Sequence, residues 1–232
     1  MQVSTLNKTK FLINSTATLT ITLLLTAFLA NPVFADSAIN SNGATIKNSD
    51  ALLKPTASLQ VGSDAYEIKL GMGEWTENDT NHGQLYISYF KAEDTLKIGD
   101  VSFTDQKYTS TRLGIDINGF GTDTGKAFQG GIFLYSNESE ANIDRYGVGL
   151  ALAFGHMLTN EARIQAGLVL MPEFLSTDWD AKALFEYEFN AGATYRITPT
   201  VDASLMYRYG ATLDDINVKH YNQMMAGISL KL

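Results

Sequence analysis

The chain has 232 residues and no cysteine, so neither disulfides nor thiolate chemistry can contribute to it. It is poor in basic residues, with 17 Lys and Arg against 25 Asp and Glu and a net charge of −8. That balance argues against nucleic acid as a partner, because phosphate-backbone binding relies on clustered Lys and Arg. Beyond residue 35 no run approaches the ~18 consecutive apolar residues of a membrane-crossing helix, although 45% of the chain is hydrophobic. Histidine is scarce: His82 and His220 are expected in loops, and His156 lies at the end of an apolar face beside a tight turn. No Walker loop, zincin helix or nucleophile elbow is present, and Gly119-Phe120-Gly121 reads as a turn, not a phosphate cradle. The expectation is a protein with no cofactor, no metal site and no catalytic residues.

What is present begins with a segment that reads as a secretory signal. Lys8 and Lys10 precede an apolar stretch, Leu19 to Ala30, and Val33-Phe34-Ala35 offers small residues at the usual cleavage positions. A membrane anchor would need about 20 predominantly apolar residues, and this stretch is shorter and broken by Thr18, Thr20, Thr22 and Thr26. The expected organisation is a signal peptide over 1–35, a flexible Ser- and Asn-rich tail over 36–56 and one β domain over 57–232. Loss of residues 1–35 takes two lysines and no acid, which leaves 15 basic residues against 25 acidic ones and a net charge of −10.

From Arg145 onward the dominant pattern is alternation. Tyr146, Val148, Leu150, Leu152 and Phe154 are large and apolar, while Gly147, Gly149, Ala151, Ala153 and Gly155 fill the gaps. Side chains of a strand point alternately to opposite faces, so this series makes one greasy face and one of minimal volume. Strands of about ten residues or more, aromatic residues on the apolar face and an export signal together form the signature of an outer-membrane barrel. Candidate strands cover 66–73, 83–91, 108–119, 127–135, 145–157, 162–171, 183–197, 200–210 and 221–232. Bacterial barrels have an even strand number, so a further strand is expected at Ala57 to Gly62 or at Leu96 to Phe103, unless two candidates merge. The expected fold is all-β, a transmembrane antiparallel up-and-down β-barrel of ten strands, with eight as the alternative.

Short connections at Leu158 to Glu161 and Thr198 to Thr200 alternate with longer polar ones at Pro172 to Lys182 and Ala211 to His220. That rhythm places Leu232 near the periplasm, since periplasmic turns are the short ones. The long segments carry acids, which read as solvated loop charge or as divalent-cation contacts with lipopolysaccharide phosphates.

Strand parity then sorts residues between lipid and lumen. Ile164, Leu168, Phe185, Tyr187, Phe189, Tyr195, Ile197, Leu205, Ile228 and Leu230 face out, as do Ile68, Leu70, Leu113, Ile115 and Ile117. The inward set holds the cations Lys69, Arg112, Arg145, Arg163, Arg196, Arg208 and Lys231 and the anions Glu67, Asp116, Glu186, Glu188 and Asp202. A barrel of eight to ten strands is barely wide enough for side chains to fill, and a buried charge left alone costs several kcal/mol. Arg163, Glu186, Glu188, Arg196, Asp202, Arg208 and Lys231 are therefore expected to line the lumen as an ion-paired plug or a narrow, charge-tuned pore. Glu186 and Glu188, ~6.5–7 Å apart by strand rise, have a separation that a glycosidase pair could use; adjacent inward positions opposite arginines read more simply as structural.

The segment Glu188-Phe189-Asn190-Ala191-Gly192-Ala193-Thr194-Tyr195-Arg196, followed by Pro199, Val201, Ala203 and Tyr207-Arg208-Tyr209, resembles the C-terminal part of the YfaZ-like family of outer-membrane proteins. Val61 to Tyr66 and Ile68 to Gly73 resemble its first mature segment. Leu232 stands where such barrels commonly end in an aromatic residue. The resemblance implies a porin-like outer-membrane barrel of unspecified substrate and brings no catalytic residues. The expected partners are outer-membrane lipid and lipopolysaccharide and the barrel-insertion machinery, with a small solute as an open case and no nucleic acid. Two other classes stay open: a barrel enzyme acting on lipids, and a soluble periplasmic β-barrel binding an apolar ligand.

Overall fold

The computed structural model describes residues 53–75, 81–98, 101–121, 125–139, 144–177, 185–213 and 218–232. The fold below is that of the compact unit Asp50–Leu232. The expected signal segment and the tail as far as residue 52 lie outside the described residues.

Ten long strands follow one another: β1 (Leu53–Val61), β2 (Ala65–Trp75), β3 (Asn81–Ile98), β4 (Val101–Gly121), β5 (Lys126–Ser139), β6 (Arg145–Met157), β7 (Ala162–Pro172), β9 (Phe185–Thr198), β10 (Val201–Leu213) and β11 (Val218–Lys231). The two-residue β8 (Ser176–Thr177) adds only a bridge to Tyr146 and Gly147 of β6. Each long strand pairs antiparallel with its chain neighbours, and β1 pairs with both β2 and β11. The sheet is therefore a closed ten-stranded up-and-down barrel. Closure matters because every backbone donor and acceptor finds an inter-strand partner without an edge.

The missing tenth strand is β1, which covers the candidate at Ala57 to Gly62. It starts at Leu53, four residues inside the stretch expected to be tail, because Leu53 to Thr56 continue the ladder opposite Glu74 to Gly71. Leu96 to Phe103 is not a separate strand; Leu96 pairs with Phe103 in a long β3–β4 hairpin. Gly119 to Gly121 continue β4. His82 and His220 lie in β3 and β11, not in loops, because both strands run past the point where their apolar alternation fades. For the same reason Ala211 to Leu213 and Val218 to His220 are strand.

The barrel tapers. At Gly62 the β1–β2 connection turns back within three residues, and the Gly62 N–H donates to Ala65 O at 2.7 Å. β3 runs past this turn, and its Ile98 and Lys97 pair directly with Val218 and Lys219 of β11. The seam is fastened by the Asp94 carboxylate, which accepts from Asn222 N–H at 2.8 Å and from Lys219 Nζ at 3.2 Å. Ten strands thus enclose the middle of the barrel, and above the turn β1 and β2 drop out of the ring, leaving eight among the described residues. Barrel diameter falls with strand number, so this end is the narrow one.

Outward positions are apolar on every long strand, from Leu59 and Val61 on β1 through Ile117, Leu134, Phe154, Ile164 and Ile197 to Ile228 on β11. Phe154 is 65% exposed, whereas Arg145 at the start of the same strand is 2% exposed. That inverts a soluble protein's distribution. Outward aromatic pairs gather toward the narrow end, at Tyr66–Tyr89, Phe185–Tyr187, Tyr187–Tyr209 and Phe189–Tyr207. Others, Phe128–Phe154 and the exposed Tyr195, lie toward the end that carries Leu232. Tyr187 and Tyr195 are eight residues apart on β9, ~27 Å of strand and ~20 Å along the axis of a barrel tilted by ~40°, close to the ~25 Å apolar band of outer-membrane barrels.

Candidate functional site

The lumen holds the chemistry. Because β9 enters the barrel at its narrow end with period-2 alternation, Glu186 and Glu188 both point inward while Phe185, Tyr187 and Phe189 point out. Each carboxylate becomes the hub of a network drawn from several strands.

Glu186 accepts from Arg145 Nη1 at 2.6 Å, from the Tyr108 hydroxyl at 2.5 Å and from Asn137 Nδ2 at 3.1 Å. Arg145 Nη1 also donates to Thr212 Oγ1 at 2.8 Å, and Thr212 Oγ1 lies 2.7 Å from His220 Nε2. One layer deeper, Glu188 accepts from Arg112 Nη2 at 2.9 Å, from Arg208 Nη2 at 2.8 Å and Nε at 3.2 Å, and from the Tyr221 hydroxyl at 2.6 Å. Arg208 Nη1 reaches across to Glu67 at 2.9 Å, and its guanidinium lies 4.2 Å from the Phe90 ring centroid. Deeper still, Lys69 Nζ pairs with Asp116 at 2.5 Å and sits 3.8 Å over the Tyr86 ring.

Near the end carrying Leu232 the contacts loosen. Arg196 Nε is 3.7 Å and Lys231 Nζ 4.0 Å from the Asp202 carboxylate, and Arg163 interacts with the same Asp202. The seven lumen residues named from sequence therefore fall into two groups. Glu186, Glu188 and Arg208 are buried in the plug, and Arg163, Arg196, Asp202 and Lys231 form a looser ring below it.

Shape explains how so much volume fits inside a small barrel. Tyr221 stands opposite Gly210 in the register, and a Cβ there would lie 2.3 Å from the tyrosine ring. Phe133 stands opposite Gly149 and Gly114 in the same way. The small-residue face of β6 is thus the space into which a neighbour's aromatic ring folds. Two aromatic and apolar clusters result: Phe90, Tyr108, Tyr221 and Met225 with Ala65 and Ala92, and Tyr86, Phe133, Tyr135, Val169 and Met171. The first packs at the taper.

Sequence reasoning missed Tyr86, Phe90, Tyr108, Phe133, Asn137, Thr212, His220 and Tyr221 as lumen residues. For Tyr86, Phe133 and Tyr221 the signal that could have found them is an inward glycine on an adjacent strand; Phe90 and Tyr108 have no such glycine beside them. Among the described residues no group of three or more His, Asp or Glu side chains could hold a metal. Glu186 and Glu188 are each 2% exposed, with their oxygens already bonded to lumen donors, which is the arrangement of struts.

No family model matches the chain, and no curated protein does. Among solved structures it is similar to the neisserial surface protein A, with 14% identity over 78% of this chain and 96% of that one and a TM-score of 0.31. It is similar also to the KdgM porin, at 8% identity over 78% of this chain and 99% of that one, TM-score 0.37, and to the NanC porin, at 14% identity over 78% and 100%, TM-score 0.36. Likenesses at these identities and scores bring neither an activity nor a substrate to this chain.

Proposed function

We propose that the chain is a non-enzymatic outer-membrane barrel whose outer end is closed by an ion-paired, aromatic plug, so that any pore through it is narrow. The observation that carries this reading is the inversion of the barrel: exposed apolar side chains on all ten long strands, with charged and hydrogen-bonded side chains inside. Lipid stabilises the outer face by removing it from water, and a closed ladder is the one β arrangement that lipid tolerates. The strand connections support an orientation with the narrow end outward, since the longest connection, from Pro172 to Phe185, is at that end although the β1–β2 turn there is also short, while Leu158 to Glu161 and Pro199-Thr200 turn tightly at the end bearing Leu232. The resemblance of Glu188 to Arg196 and of Tyr207-Arg208-Tyr209 to YfaZ-like outer-membrane proteins is in keeping with this reading.

The test is cell fractionation followed by gel electrophoresis with and without boiling. The expected result is recovery in the outer-membrane fraction and a heat-dependent change in mobility. Recovery in the soluble periplasm without a mobility change would overturn it.

A further inference from the structure

Below the plug the lumen opens into a chamber of about 180 Å³. Its lower wall carries the amides Gln60, Gln129, Gln165 and Asn190. None of these four side chains has a hydrogen-bonding partner among the described residues, unlike the charged groups around them. Each stands beside a small residue: Gln165 is paired in register with Gly155 and Gly192, Asn190 with Gly167, Gln60 with Gly227, and Gln129 with Ala153. The amide side chains lean over these glycines: a Cβ on Gly167 would come 2.7 Å from Asn190 Oδ1, and one on Gly227 2.6 Å from Gln60 Cγ, so a larger residue there would displace the amide.

The ceiling supplies no free charge. Lys69 is neutralised by Asp116, and Arg208 by Glu67 and Glu188. What the chamber offers is amide groups, each both donor and acceptor, in a volume below the ~300–1,000 Å³ of drug-sized sites. The lumen side chains become more exposed toward the end carrying Leu232, from Glu186 at 2% to Arg196 at 38%, so entry is from that side.

We propose that this chamber binds a small, uncharged, polyhydroxylated molecule of the sugar or polyol class, entering from the end of the barrel that carries Leu232. Vicinal hydroxyls match the paired donor and acceptor of an amide, and an ion-paired ceiling gives a charged ligand no counterion. The inference rests on the closed outer end proposed above, which makes the chamber a blind pocket instead of a stretch of channel.

The test uses the full chain expressed in cells, recovered from membranes in detergent micelles and labelled with ¹⁵N. Folding is checked first by the heat-dependent mobility change. Glucose and sorbitol are then titrated against the side-chain amide resonances, with glucuronate and glucosamine as charged counterparts. The expected result is saturable shifts with glucose or sorbitol, tighter than with either charged probe. Binding should weaken at least tenfold in Gln165→Ala combined with Asn190→Ala, and also in Gln129→Ala if the double variant fails to fold. Absence of saturable shifts in heat-modifiable protein, tighter binding of a charged probe, or unchanged binding in the folded variants would overturn the assignment while leaving the barrel reading intact. Protein without a mobility change would overturn both.

Discussion

Glu188 is the residue on which the plug depends, since Arg112, Arg208 and Tyr221 all donate to it. Glu188→Ala leaves two buried guanidiniums without their shared anion, a loss of ~3–5 kcal/mol for a broken buried pair. Unfolding in urea from lipid vesicles should show it as a lowered midpoint. Gly210 gives a steric counterpart. Gly210→Val sets a branched side chain against the Tyr221 ring, where even a Cβ would be 2.3 Å away, and should cost ~1–3 kcal/mol by overpacking. Gly83→Ala, where a Cβ meets nothing within 4 Å, should stay within ~0.5 kcal/mol. The same unfolding midpoints compare the two. The charged lumen residues were legible in the sequence because parity is rigid: one apolar face fixes the other. Tyr108 and Tyr221 were not legible, because a tyrosine has an apolar body and a polar tip and its face is decided by the carboxylate it can reach, Glu186 for Tyr108 and Glu188 for Tyr221, and for Tyr221 also by Gly210 opposite it.

Among the elements, the β3–β4 hairpin decides the shape of the narrow end. β3 changes register between Asp94 and Leu96 and then leaves β2 behind to meet β11. Asp94→Ala removes the acceptor for Asn222 N–H and Lys219 Nζ at that seam. Amide hydrogen exchange at Asn222 and its β11 neighbours should quicken, while overall stability falls by no more than ~1 kcal/mol, as for other partly exposed polar contacts. Unchanged exchange would show that the backbone pairing of Lys97 and Ile98 holds the seam alone. The hairpin was only half legible. Alternation marks strands that need one apolar face, and beyond Lys91 the run Ala92-Glu93-Asp94-Thr95 has no such face to keep. The barrel itself and nine of its ten long strands were readable from alternation; β1, with Pro55 near its start and a mild apolar pattern, was offered only as one of two additional candidates.

For the whole molecule, strand count and closure are linked. Ten strands give the middle enough width for a chamber, and the drop to eight at the narrow end brings Phe90, Tyr108, Tyr221 and Met225 into one cluster where guanidiniums and carboxylates complete the seal. The expected ten strands enclose the middle, and the alternative of eight describes only the narrow end among the described residues. The most direct test of the closed plug is the conductance of the full chain in a planar bilayer. The account predicts a small conductance for the wild type that rises when Arg208→Ala and Glu188→Ala are combined. A large, stable conductance in the wild type, unchanged by that pair, would contradict it.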